Sequence, residues 1–265
     1  MGFLFLIDYA ARLLRPVNIV WHLGERGIKV IDDVYPAESD ESGEAARPRR
    51  ELGPPARVVA HRGKSAIVIA VNLKSLLAAA RQADGVVELV PRIGDFVAVG
   101  EPLFRLYGGV SAIDERLLRG QGACGAERTI EQDPTFAFRV IVDIAIKALS
   151  KAINDPTTAV LAIDQLHRLL RTVGKRRLHG EEVFDGAGRL RMVFRTPDWE
   201  DFVQLACREI RLYGAENFQI ARRMRAMIEN LIHGLPAPRH SALRQELELL
   251  DRAIASLYPF PEDLA

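Results

Sequence analysis

The chain has 265 residues, with 36 Lys or Arg against 35 Asp or Glu and a formal net charge of +1. That length supports one large domain or two modest ones, each able to bury a core, and the near-cancelling charge removes any broad electrostatic drive toward nucleic acid or an acidic substrate. Two cysteines, Cys124 and Cys207, are too few for a disulfide framework and lack CxxC or Cys/His ligand spacing, which points to reduced thiols in a cytosol-facing protein.

The N-terminal run MGFLFLIDYAARLLRP is apolar and then basic. Asp8 and Arg12 interrupt it well short of the ~20 apolar residues a bilayer span needs. A secretory signal places its charge before the apolar core, whereas Arg12 and Arg15 follow it. A short amphipathic helix is expected, docked on the domain, lying on a membrane surface, or ending a helix that comes from the membrane. Residues 17–35 predict a second helix with Val20, Leu23, Ile28 and Ile31 on one side, stopped by Pro36. The stretch AESDESGEAARPRRELGPP then lacks large apolar side chains almost entirely, so residues 37–56 read as an exposed linker.

Beyond the linker the hydrophobic period changes. AIVIAV (66–71) predicts a strand, LKSLLAAARQA (73–83) a helix, VVELV (86–90) another strand, and RIGDFVAVGEPLFRL (92–106) two short strands with turns at Gly94-Asp95 and Gly100. Residues 57–110 are therefore expected to form a small β-barrel or sandwich with one inserted helix. GDFVAVGEPLFRL resembles the GDxVxxGxxL signature of barrel-sandwich hybrid domains, the fold of biotinyl and lipoyl carriers. Those carriers present a modifiable Lys soon after this signature. Tyr107, Gly108, Gly109 and Val110 follow it here, which implies a packing module and no swinging-arm cofactor.

Residues 111–265 predict a mainly helical domain with one β-hairpin, making the whole chain α+β. Asp133-Pro134 and Asp155-Pro156 each place a carboxylate at an N-cap and Pro at the first helical position, predicting helices over 134–152 and 156–173. A hairpin is expected from Val183-Phe184 to 190–194 around a turn at 185–188. Three more helices follow: one from Thr196-Pro197 to Tyr213, one ending at His233, and one over 241–257.

The segment from Glu127 to Val160 is the densest in candidate chemistry. Its first helix is apolar nearly all round, which predicts burial on most sides, except for Arg139, Asp143 and Lys147 at i, i+4 and i+8. A functional reading joins Arg128, Glu131, Asp133, Arg139, Asp143, Asn154, Asp155 and Thr157 into a polar binding site, where carboxylates beside Arg could hold a metal or act as acid and base. A helix of that span is roughly 28 Å long, so Glu131 and Asp133 stand at one end and Asn154 and Asp155 at the other. Asp133 and Asp155 have a sufficient structural task as caps; Arg128 and Asn154 have no such plain excuse. No catalytic residue is assigned. The six histidines show no HxxxH, HxH or HExxH spacing, leaving a zinc site unsupported; His167 reads as a satisfied boundary residue. GxGxxG, GxxxxGK[ST] and GxSxG are absent, so no cofactor is predicted. RRMRAM (222–227) reads as an exposed helix face.

LLRPVNIVWHLGERGIKVIDDVYP, the GDFVAVGEPL hairpin, ERTIEQDPTFAFRVIVDIAIKALSKAINDPTTAV and the helical tail together resemble the bacterial predicted membrane proteins grouped as a domain-of-unknown-function family. RTIEQDPTFAFRVIVDIA and ALSKAINDPTTAV carry the resemblance best, with Lys151-Ala152 where Pro-Gly is more usual. Such proteins carry several transmembrane helices before this region, and this chain starts almost where the last of them ends. The resemblance implies a membrane-proximal soluble region at the bacterial inner membrane, on the cytoplasmic side, with residues 1–36 as its connection. The leading expectation is a non-enzymatic homo-oligomer that works by self-association or by binding a partner or ligand, and that meets a membrane surface or missing transmembrane helices through its N-terminus. The competing expectation is an enzyme or small-molecule sensor built on Arg128, Glu131, Arg139, Asp143 and Asn154. A nucleic-acid binder has only short basic clusters behind it.

Overall fold

All strands among the described residues fall in one unit, together with two short helices, and the longer helices form the other. The computed structural model describes residues 16–35, 52–178 and 182–258. Helix α1 (Pro16–Val34) comes first, followed by β1 (Arg57–Ala60), β2 (Ala66–Val71), α2 (Leu73–Gln82), β3 (Gly85–Leu89), β4 (Phe96–Val97), β5 (Pro102–Gly108), α3 (Glu115–Arg119) and β6 (Gly122–Gly125). Then come α4 (Pro134–Leu149), α5 (Pro156–Val173), β7 (Glu182–Phe184), β8 (Leu190–Phe194), α6 (Trp199–Gly214), α7 (Phe218–Gly234) and α8 (His240–Leu257). One unit comprises Met1–Glu38, Pro134–Leu178 and Pro197–Ala265; the other comprises Ser39–Asp133 and His179–Thr196. The helix expected within residues 1–15 and most of the linker expected at 37–56 lie outside the described residues.

The sheet unit holds two sheets, β1-β5-β3-β8-β7 and β4-β2-β6. Among the described residues neither closes into a barrel; the fold is α+β with two small open sheets. Side chains alternate across the larger one. Val87 and Leu89 of β3 pair with Leu106 and Phe104 of β5 and share one core with Val59, Leu76 and Met192. Glu88 between them faces the other way, accepting from Tyr107 Oη at 2.7 Å and Arg105 Nη1 at 3.3 Å. The β7–β8 hairpin forms at the expected residues, but β8 pairs parallel with β3, Val87 opposite Met192. This long-range ladder draws 179–196 into the sheet unit, so the helical domain expected over 111–265 is interrupted. A parallel pair needs a long crossover, and here the intervening chain includes α4 and α5.

An ion cluster fixes the hairpin to its neighbour. Arg191, almost fully buried, donates from Nε to Asp185 and from Nη2 to Asp84, each at 2.8 Å. Asp84 closes the α2–β3 turn at φ 47°, a left-handed conformation that Asp tolerates better than most residues.

In the helical unit α4 is central. Ala137, Phe138, Ile141, Val142, Ala145 and Ala148 are buried at helical spacing, and α4 packs against α1, α5 and α6. Phe138 meets Phe202 at 5.2 Å between ring centroids, and Tyr35 meets Phe202 edge-on at 6.1 Å. Gly24 and Gly27 bring α1 close: a Cβ on Gly27 would stand 2.8 Å from Leu169 Cδ2 and 3.0 Å from Ala137 Cβ. Helix α4 ends three residues before the expected boundary, and α6 starts at Trp199 behind an Asp198/Asp201 capping box, two residues after the Thr196-Pro197 signal. The reciprocal hydrogen bonds of the box satisfy more of the helix's orphan donors than Pro at the first position can. Among the described residues, no helix is long and apolar enough to cross a membrane.

Candidate functional site

Arg128 and Asp133 belong to the sheet unit, in the loop that leaves β6. Arg128 Nε and Nη2 converge on Asp133 Oδ2 at 3.0 and 2.5 Å, and the Asp133 residue is only 4% exposed. The glycine of the GDFVAVGEPL hairpin roofs this pair. Gly94 has φ +92°, and a Cβ there would fall 2.4 Å from Asp133 Oδ2 and 2.8 Å from Arg128 Nε. Its N–H donates to Val68 O at 2.7 Å, while Gln132 Oε1 accepts from Val71 N–H at 3.1 Å. The RTIEQDP segment is thereby tied to β2 and to the hairpin turn. Glu131, between the tied residues, is exposed.

The remaining candidates belong to the helical unit. Arg139 Nη1 pairs with Glu209 of α6 at 2.7 Å and more loosely with Asp143 at 3.5 Å. The Asp143 side chain is 59% exposed, so the stripe is a solvated ladder, worth tenths of a kcal/mol per pair. Asn154 stands at the far end of α4 with φ 46°. Its left-handed backbone supplies the structural reason for an Asn that spacing alone did not suggest. Asp155 caps α5: Oδ1 accepts from Thr158 N–H at 3.0 Å and Oδ2 from Thr158 Oγ1 at 2.6 Å. The Thr158 hydroxyl, followed by backbone N–H groups, holds the Asp155 carboxyl below its ordinary range. Thr158 is the buried partner; Thr157, selected from sequence, is exposed.

The eight residues thus form separate groups: Arg128 with Asp133, Arg139 with Asp143, Asp155 with its neighbours Asn154 and Thr157, and Glu131 exposed beside the first pair. Sequence reasoning missed Glu209, Thr158 and Gly94. Thr158 was legible as the third residue after a cap; Glu209 is 70 positions from Arg139 and carried no local signal. His167 accepts at Nδ1 from Arg223 at 3.1 Å and donates from Nε2 to Asn230 at 2.9 Å, the arrangement of a neutral imidazole. Burial lowers its pKa. Burial raises the pKa of the Cys124 thiol and, more strongly, that of Cys207, the opposite of an activated thiolate. Among the described residues no group of three or more His, Cys, Asp or Glu could hold a metal ion.

The family model described as "Predicted membrane protein (DUF2254)" matches residues 1–230. The chain belongs to this family. DUF2254 relatives include uncharacterized protein Mb1321c of Mycobacterium bovis and uncharacterized protein Rv1290c of Mycobacterium tuberculosis, each 28% identical over 240 residues. The matches cover 86% of this chain and 45% of either relative, so the chain spans about half the length of the curated DUF2254 relatives it matches. No solved structure matches.

Proposed function

We propose that this chain is the membrane-proximal region of a bacterial membrane protein, placed on the cytoplasmic side, and that it works by self-association without catalysis. The observation that carries self-association is the tip of the barrel-sandwich-like hairpin in the sheet unit. Phe96 on the two-residue edge strand β4 is 65% exposed and Val99 in the following turn 57%. The strand is too short to offer much backbone pairing, so the two large apolar side chains are what a second copy would bury. The likeness of 92–106 to barrel-sandwich hybrid hairpins enters here as a packing module: it lacks the carrier Lys and has apolar residues exposed instead. Membership of a predicted membrane protein family supports the membrane-proximal part, and Arg12 and Arg15 just ahead of α1 support the cytoplasmic side through the bias of Lys and Arg toward that face.

The test is sedimentation velocity across a range of concentrations. A concentration-dependent dimer or larger species is expected, reduced to monomer by Phe96→Asp with Val99→Asp. A wild-type chain that stays monomeric throughout the range excludes self-association.

A further inference from the structure

The exposed apolar side chains of the helical unit are not scattered. Helices α1 and α5 run parallel, with Gly24 against Gln165, Gly27 against Leu169 and Asp32 paired to Arg176. The first turn of α1 therefore stands level with the first turn of α5, beside the α4–α5 connection. Helices α4 and α6 also run parallel: Phe138 packs on Phe202 near their starts, and a Cβ on Gly214 would meet Leu149 Cδ1 at 3.0 Å near their ends. Helix α8 finishes at the same end, where Tyr258 Oη donates to Glu216 O at 2.6 Å and its ring meets Phe218 at 6.0 Å.

That end carries every large apolar side chain exposed in the helical unit among its described residues. Val17, Ile19 and Trp21 come from the start of α1, Ile153 from the α4–α5 connection, Leu212 and Tyr213 from the end of α6, and Leu257 from the end of α8. Leu212 and Tyr213 are 65% and 60% exposed. Exposed Lys147, Lys151 and Arg222 stand there against exposed Glu216, while Asp155 is engaged by Thr158. The opposite end is polar and carries charge of both signs, with Asp32 and Asp33 finishing α1, Asp198, Glu200 and Asp201 starting α6, and Lys175, Arg176 and Arg177 following α5, so the apolar side chains distinguish the two ends more than charge does.

We propose that this end of the helical unit is a bilayer-contact surface, seated in the headgroup region of a membrane containing anionic phospholipid. The inference rests on the membrane-proximal reading above and names the surface that does the contacting. Three features select lipid as the occupant. The apolar and basic residues 1–15 join the unit at this end, through Pro16. Trp21 and Tyr213 are the side-chain types that favour the membrane interface. Lysines beside an apolar patch complement acidic headgroups.

Flotation of the full chain with vesicles of phosphatidylcholine, with and without phosphatidylglycerol, tests the surface. The wild type is expected to float with the phosphatidylglycerol vesicles. Leu212→Asp with Tyr213→Asp, far in sequence from residues 1–15, should lower partitioning roughly tenfold or more through lost apolar burial. Lys147→Glu with Lys151→Glu should abolish the preference for acidic lipid. Circular dichroism and melting confirm folding; Ile153→Asp, in a connection, gives the same readout if the α6 variant is unstable. Flotation unchanged by these apolar substitutions overturns the proposal by placing binding in residues 1–15 alone. Loss of self-association with flotation intact overturns it by making a second copy the occupant, and a wild type that floats with neither vesicle also overturns it. Phe96→Asp with Val99→Asp should float like the wild type whatever its oligomeric state, so failure of self-association and failure of this surface are read separately.

Discussion

Asp133 and Asp143 have the same side chain and opposite environments. Asp133 is buried under Gly94 and tied to Arg128; removing its carboxylate takes a two-fold acceptor away from a partly buried guanidinium. Asp133→Ala should therefore cost about 3 kcal/mol, the low end for a broken buried pair because Arg128 keeps some contact with water. Asp143→Ala should change stability by no more than about 0.5 kcal/mol. Urea unfolding followed by circular dichroism checks both. Sequence showed each Asp at a sensible place and could not rank them, because rank depends on Gly94, whose approach arises from a hairpin nearly 40 positions away. Asp185 offers a pH test. Its hydrogen bond from Arg191, then those from the backbone N–H groups of Arg189 and Ala187, hold its pKa far below the ordinary carboxylate value. A depressed folded pKa means the stabilisation is fully present above the unfolded pKa, near 4, and is lost as pH falls through the folded value. Asp185→Asn should accordingly flatten the acid limb of the sheet unit's stability profile, measured by thermal melts below pH 5 on the wild type and the variant. An unchanged acid limb would show that the Arg191 cluster contributes nothing to acid sensitivity.

Among the elements, α1 depends on how closely it approaches its neighbours. Gly24 and Gly27 both face the bundle, yet they differ in what an added methyl would strike. At Gly24 the obstacle is the amide end of Gln165, 2.3 Å away, which can swing aside at the loss of its hydrogen bond from Arg168. At Gly27 the obstacles are Leu169 and the Cβ of Ala137, fixed on packed helices. Replacing Gly by Ala in a helix gains up to about 1 kcal/mol in propensity, whereas overpacking costs about 1–3 kcal/mol. Gly24→Ala should be near neutral, and Gly27→Ala should destabilise by about 1–2 kcal/mol. Hydrogen exchange along α1 distinguishes local detachment from global loss: detachment predicts faster exchange over Pro16–Val34 with α4 unchanged. The apolar spacing of α1 was readable, as were both Asp-Pro helix starts and the hairpin's own residues. Strand β1 and the short elements α3 and β6 were not, because runs of four or five residues carry too little periodicity to separate from loop.

At the scale of the whole molecule, the chain visits the sheet unit twice, and one parallel ladder between β3 and β8 accomplishes the return. Linear reading divided the chain at residue 110 because composition and period change near there; it could not find a pairing made across two intervening helices. The candidate polar site was legible as a list of residues but not as an arrangement. Spacing placed the two Asp-Pro pairs at opposite ends of one helix, and the contacts to Glu209, Thr158 and Gly94 emerged only from tertiary structure. These contacts account for Arg128, Arg139, Asp143 and Asp155 by packing, capping and solvation, and they shift attention from the polar residues to the apolar end of the helical unit. In the proposed arrangement the end bearing the start of α1 faces a bilayer. Fluorescence quenching by brominated phospholipid tests it most directly, because Trp21 lies at that end, whereas Trp199 is buried near the other with Nε1 donating to Arg239 O at 2.8 Å. Vesicle-bound wild type should be quenched and Trp21→Phe should not; equal quenching of the two, or none in a wild type that remains vesicle-bound, would contradict the account.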